Sequence, residues 1–151
     1  MAKVREGDSA PDFELEGTGS RTYRLADYRG EGLILAFYPG DFTPVCTKQF
    51  CSYRDDSDRI QALGVPMLGI SPRSVESHER FVTENGLELP LLSDPGKRVA
   101  GAYGVVGPGG FLRRSIFLVD WEGIVRYRHV ALFGIRYQDV GDLERAVERL
   151  A

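Results

Sequence analysis

Both cysteines of the chain, Cys46 and Cys51, lie within Phe37-Tyr38-Pro39-Gly40-Asp41-Phe42-Thr43-Pro44-Val45-Cys46-Thr47-Lys48-Gln49-Phe50-Cys51, where an apolar run gives way to a helix start. Thr43 followed by Pro44 is a strong helix beginning, because a Thr oxygen can accept from unpaired amides and Pro suits the first helical position. Cys46 then falls in the first turn, near free N–H donors and the positive end of the helix dipole. Such a position favours a sulfur anion, the nucleophilic form of cysteine. The chemistry on offer is nucleophilic attack by an activated thiol.

Cys51 follows five residues later. In an ideal helix, positions i and i+5 have Cα atoms roughly 8.7 Å apart on nearly opposite faces. A disulfide tolerates no more than about 7 Å. A bond between these sulfurs therefore requires the first turns of the helix to unwind. Spacing and cap alone leave a second reading open, two unrelated buried thiols, since free Cys is among the most buried residue types.

The stretch resembles the peroxiredoxin active site, a Pro, three residues, Thr or Ser, two residues and Cys, here Pro39, Thr43 and Cys46. The second Cys five residues on is similar to the atypical two-cysteine subgroup called bacterioferritin comigratory protein or peroxiredoxin Q. Gly7-Asp8-Ser9-Ala10-Pro11-Asp12-Phe13 matches that family's entry segment, and Arg114-Ser115-Ile116-Phe117-Leu118-Val119-Asp120 its arginine-bearing strand. The resemblance covers nearly the whole chain. It implies that Cys46 attacks a peroxide and becomes a sulfenic acid, and that Cys51 resolves this to an intramolecular disulfide. A thioredoxin-like or other dithiol reductant then reopens the bond. Thr43 would hydrogen-bond the thiolate or the peroxide, its plain alternative being a helix cap. Pro39 would shield the pocket or simply terminate the strand. Arg114 would hold a fixed cation near sulfur and oxygens; it lies six residues before Asp120, as the family arginine does, which selects it over Arg113. Neighbours on a strand face opposite ways, so Arg113 reads as a solvated surface charge. Gln49 stands where relatives carry Glu or Gln and would orient the arginine, or else is a solvated helical Gln.

Composition sets the boundaries. The 151 residues suit one domain spanning the chain, 1–151, with 27 % charged and 42 % hydrophobic residues and a net charge of −3, which argues against a nucleic-acid surface. No basic-then-apolar leader opens the sequence and no apolar run approaches about 18 residues, so neither export nor a membrane span is expected and the cytoplasm is the expected location. Two cysteines are not a disulfide scaffold. No cofactor or metal is called for, and relatives include monomers and homodimers.

The elements needed to position these residues can be read in order. Phe13, Leu15, Tyr23 and Leu25 alternate with polar residues around Gly17-Thr18-Gly19-Ser20, predicting an N-terminal hairpin. Leu33–Tyr38 reads as a strand buried on both faces, feeding a helix that runs from the cysteines to about Gly64. Val65–Ile70 is a second buried strand. Ser71-Pro72 is expected to open a helix ending at Asn85-Gly86, followed by a strand Leu89–Leu92 and a helix Lys97–Tyr103. Val105–Gly110 reads as a loop without side chains to pack. Arg114–Val119 and Gly123–Leu132 pair as a hairpin, and Val140, Leu143, Ala146, Val147 and Leu150 recur at helical spacing. The result is an α/β fold with a central mixed sheet flanked by helices, like the thioredoxin-type fold of peroxiredoxins.

Rival chemistries fit less well. A thiol-disulfide oxidoreductase acting on protein disulfides would want a Cys-x-x-Cys pair, which the chain lacks. A zinc module would need ligand spacing that His78 and His129 do not offer. The glycines near Gly107 follow no strand-to-helix phosphate pattern and include no phosphate-binding Lys. The helix geometry yields a direct expectation: oxidation to the disulfide raises amide hydrogen exchange between Thr43 and Arg54, and equal exchange in dithiol and disulfide forms would rule the unwinding out.

Overall fold

The computed structural model describes residues 4–131 and 137–150. Its elements are β1 (Glu14–Gly17), β2 (Arg21–Arg24), β3 (Leu33–Phe37), α1 (Pro44–Asp55), α2 (Ser57–Ala62), β4 (Met67–Ser71), α3 (Val75–Asn85), β5 (Leu91–Ser93), α4 (Arg98–Ala102), β6 (Ser115–Val119), β7 (Val125–Val130) and α5 (Val140–Val147). These strands form one mixed sheet in the order β2-β1-β5-β4-β3-β6-β7. β3, β4 and β5 run parallel to one another, while β6 pairs antiparallel to β3.

Side-chain alternation along β3 decides the layering. Every residue of Leu33–Phe37 is buried, so the strand sits between two apolar layers rather than facing water. Leu33, Leu35 and Phe37 point into one layer with Leu68, Ile70, Phe117 and, from α4 and its end, Ala100 and Tyr103. Ile34 and Ala36 point into the other, with Cys46, Phe50 and Tyr53 of α1, Phe81 of α3 and Val140, Leu143 and Ala146 of α5. The cysteine helix thus packs on a defined face of the sheet. Phe50 is its principal anchor, with ring centroids 4.6 Å from Tyr38, 5.7 Å from Tyr53 and 6.3 Å from Phe81. Gly69 in β4 makes the close approach possible: a Cβ there would meet Leu91 Cδ2 at 2.6 Å and Phe50 Cζ at 3.3 Å.

The N-terminal hairpin, the parallel core, the last hairpin and the C-terminal helix are present as expected, with four departures. The long helix to Gly64 is broken at Asp56 (φ −105°, ψ 33°), giving α1 and α2; Asp55-Asp56-Ser57-Asp58 are poor helix formers whose side chains compete for backbone partners. Ser71 ends β4 instead of opening a helix, because a residue before Pro is driven to extended backbone. The true cap of α3 is Ser74, which accepts from Ser77 N at 3.1 Å. Lys97 has a left-handed backbone (φ 58°), so α4 starts at Arg98. Val105 is not loop filler but a fully buried core residue. Leu132, placed at the end of the last strand from sequence, lies outside the described residues.

The turn between β6 and β7 is locked by Asp120. Its carboxylate accepts from Glu122 N at 2.9 Å, Ile124 N at 3.0 Å and Arg126 Nε at 2.7 Å. Burial alone would raise its pKa, but these hydrogen bonds outweigh burial and hold it below the usual carboxylate range. A depressed folded-state pKa means stability present above the unfolded value of about 3.9 and lost as pH falls through the lower folded value. Asp120→Asn is therefore expected to be less stable than wild type at pH 7 and to lose less on acidification to pH 3; parallel urea midpoints for both proteins across that range would refute the assignment.

Candidate active site

Each part of the cysteine site follows from the local fold. Thr43 is the N-cap of α1, with extended backbone and Oγ1 3.4 Å from Cys46 N; Pro44 is the first helical residue. Cys46 therefore lies in the first turn, as the sequence predicts, and it is completely buried. The Thr43 hydroxyl donates to Gly40 O at 3.3 Å, a long bond that would be given up readily to a better acceptor. Pro39, half-buried, directly follows the extension of β3.

Sheet register brings the arginine to the sulfur. Phe37 at the end of β3 pairs with Ser115 at the start of antiparallel β6, so Arg114 stands level with the loop that leads into α1. A backbone bond from Ala131 N to Arg114 O, 2.9 Å, fixes it there. Arg114 is 4 % exposed, and its Nη1 lies 3.1 Å from Cys46 Sγ and 2.7 Å from Gln49 Oε1. Arg113 points elsewhere, its Nε packed along Gly107, where a Cβ would approach to 2.8 Å. It is half-buried rather than fully solvated.

Gln49 is buried at 1 % exposure, so the solvated reading of this residue is corrected. It lies one turn beyond Cys46 on the same face of α1, and both its amide groups are used. The oxygen accepts from Arg114, while Nε2 donates to Tyr53 Oη at 3.0 Å. Tyr53 in turn donates to Gln138 O at 2.5 Å. Burial pushes the Tyr53 phenol well up, keeping it a neutral donor. Sequence reading missed Tyr53 and Gln138 as members of this chain, because nothing in the spacing links residue 138 to residue 53.

The two sulfurs are free and face different surroundings. Cys46 looks toward Arg114, whereas Cys51, half-buried, lies with Sγ 3.5 Å from Asn85 Oδ1 at the end of α3. Helix α1 is unbroken between them. His78 is buried on α3, held at both ring nitrogens by protein oxygens. His129 lies on β7, opposite Ile116. Among the described residues no helix is long and apolar enough to cross a membrane.

Removing the Gln49 amide would leave a buried guanidinium and a buried phenol each short of a partner. Gln49→Ala is expected to cost about 1–3 kcal/mol of stability, read from urea unfolding at constant m-value; a loss under about 0.5 kcal/mol would show that the relay is not holding Arg114.

Residues 6–128 match the AhpC/TSA family. The chain is 37 % identical over 131 residues to peroxiredoxin Bcp of Bacillus subtilis, covering 80 % of this chain and 81 % of that one. It is 35 % identical over 127 residues to the chloroplastic peroxiredoxin Q of Oryza sativa subsp. japonica, covering 83 % of this chain; the match spans only 58 % of that relative's length. The structure superposes on the crystal structure of peroxidoxin BcpB from Mycobacterium tuberculosis with a TM-score of 0.81 at 29 % identity, over 97 % of this chain and 96 % of that one. The mixed sheet with its flanking helices is accordingly the thioredoxin-like peroxiredoxin fold. The chain belongs to the AhpC/TSA family and is a peroxiredoxin.

Proposed function

We propose that the chain is a thiol peroxidase that reduces hydrogen peroxide and organic hydroperoxides through Cys46. The observation that carries this reading is the buried cation against the first-turn sulfur, Arg114 Nη1 at 3.1 Å from Cys46 Sγ. Attack by the Cys46 thiolate forms an S–O bond as the O–O bond breaks, and its electron pair goes to the departing oxygen. That oxygen takes a proton and leaves as water or alcohol, and Cys46 becomes a sulfenic acid. Negative charge moves from sulfur to oxygen along this path, so donors fixed in advance around it lower the barrier. Arg114 supplies the fixed cation, and Thr43, whose hydroxyl sits beside the Cys46 amide, supplies a donor to the peroxide. Pro39 shields the sulfur from bulk water.

Cys51 is the resolving thiol in this reading. Its thiolate attacks the sulfenic sulfur, the S–S bond forms, and the hydroxyl leaves with a proton as water. Both sulfurs lie in one unbroken helix and face different neighbours, so α1 opens for this step. A thioredoxin-like or other dithiol reductant then accepts the disulfide by exchange. The catalytic unit is the whole chain, 1–151, acting as a monomer or homodimer in the cytoplasm.

The test is the second-order rate of hydrogen peroxide with Cys51→Ser, followed by mass as sulfenic acid trapped on Cys46. A rate orders of magnitude above that of free cysteine is expected, falling about 10²- to 10³-fold in the added variant Arg114→Ala. A rate equal to that of free cysteine would overturn the peroxidase reading and favour disulfide exchange.

A further inference from the structure

A second buried polar cluster ties the loop before α1 to α3, and the chemistry proposed above does not use it. Asp41 lies two positions before the Thr43 cap; its side chain and that of His78 are both fully shut from solvent. Asp41 Oδ2 sits 2.6 Å from His78 Nδ1 and accepts from Ser77 Oγ at 2.8 Å, while Oδ1 accepts from the Tyr38 hydroxyl at 2.8 Å. The other ring nitrogen, Nε2, lies 3.0 Å from Leu92 O. The imidazole is thus held from both sides, and turning it would break its contact with the carboxylate or with the carbonyl. Hydrogen bonds from His78, Ser77 and Tyr38 overcome the effect of burial and hold the Asp41 carboxyl below its ordinary pKa.

Burying a carboxylate and an imidazole together is a weak source of stability, since apolar residues of the same volume often serve as well or better. What the pair does supply is direction. Asp41 and Phe42 are each held by side chains from α3, and Gly40 lies under one from the turn before that helix. The Arg73 side chain lies against Gly40, leaving no room for a Cβ, which would meet Nε at 2.5 Å. Ser77 and His78 hold Asp41. Phe42, in the left-handed region at φ 64°, sets its half-exposed ring 5.2 Å from Phe81, with the Arg80 guanidinium 5.7 Å away. A non-glycine residue at positive φ is strained and persists where its surroundings force it. The forced segment ends at Thr43, whose hydroxyl bridges Gly40 O and Cys46 N.

We propose that Asp41 and His78 are positioning residues for peroxide reduction: the buried pair fixes the backbone of residues 40–42, and so aims the Thr43 hydroxyl at the peroxide that Cys46 attacks, leaving the Arg114 contact to the sulfur in place. The inference rests on the peroxidase reading above. It separates two properties of the same sulfur. Reaction with peroxide needs the aligned donors, whereas alkylation by iodoacetamide needs only an accessible thiolate.

Both rates are measured on Cys46 in the Cys51→Ser protein, with and without Asp41→Asn. The peroxide rate is expected to fall about 10- to 100-fold while the iodoacetamide rate stays within about threefold. Val125→Ala, which opens a cavity in the layer on the other side of the sheet, controls for lost stability and is expected to leave the ratio of the two rates unchanged. Should Asp41→Asn fail to fold, Tyr38→Phe and Ser77→Ala each remove one hydrogen bond to the carboxylate, and each is expected to lower the ratio by a smaller factor. An unchanged ratio in a folded Asp41→Asn protein, or in both milder variants, would overturn the positioning role while leaving the peroxidase reading intact. A parent protein no faster with peroxide than free cysteine would overturn both.

Discussion

A guanidinium held almost entirely out of water beside a sulfur is the constraint on which the rest of this structure depends. Withdrawing that cation from solvent costs several kcal/mol unless oxygen or sulfur acceptors replace the lost water. Arg114 therefore demands a crowd of partners, and the fold supplies them from separate elements: Cys46 and Gln49 from α1, and through Gln49 the phenol of Tyr53 and the backbone of Gln138 before α5. Each partner has a packing requirement of its own. α1 must begin at Pro44 to point Cys46 and Gln49 the same way, and β6 must run antiparallel beside β3 to deliver Arg114 to that end of the sheet. Gly69 must lack a side chain for Phe50 to draw α1 down.

Two polar systems bracket the sulfur. On one side the Arg114 relay runs along α1 toward α5; on the other the Asp41 cluster ties the preceding loop to α3 and β5. Both are buried, and both reach the loop and first turn between β3 and α1. The apolar packing of α1 fixes where the helix lies, while the hydrogen-bonded groups fix its rotation and the loop's path. This division suits a site where an error of an ångström matters more than a kilocalorie of stability.

The parts legible in the sequence are those governed by local rules. The Thr43-Pro44 start, the buried run Leu33–Phe37, the Gly86 stop and the amphipathic last helix depend on neighbours a few residues away. The choice of Arg114 over Arg113 followed from strand alternation and the resemblance. What stayed hidden depends on partners far along the chain. His78 gave no spacing signal, because its partner Asp41 is 37 residues away, and Gln138 meets Tyr53 across 85. The break at Asp56 was missed because Ile60 keeps the helical apolar rhythm across it, although the Asp- and Ser-rich composition of residues 55–58 was on view.

That break also bounds the loop that any opening of α1 would create. α2 is joined to α5 by Arg59, whose guanidinium meets Glu144 at 2.5 Å and 3.1 Å, and Leu63 just beyond it returns to the core. The loop preceding Thr43 is fastened to α3. If α1 melts, the freed chain is a closed loop of 12 residues with both ends pinned, not a fraying arm. Closing such a loop restricts its ends by on the order of 2 kcal/mol of chain entropy relative to an untethered segment. The tether caps how far the two sulfurs can drift apart and shortens the search by which the helix re-forms, so the same few residues can cycle between coil and helix without the sheet taking part.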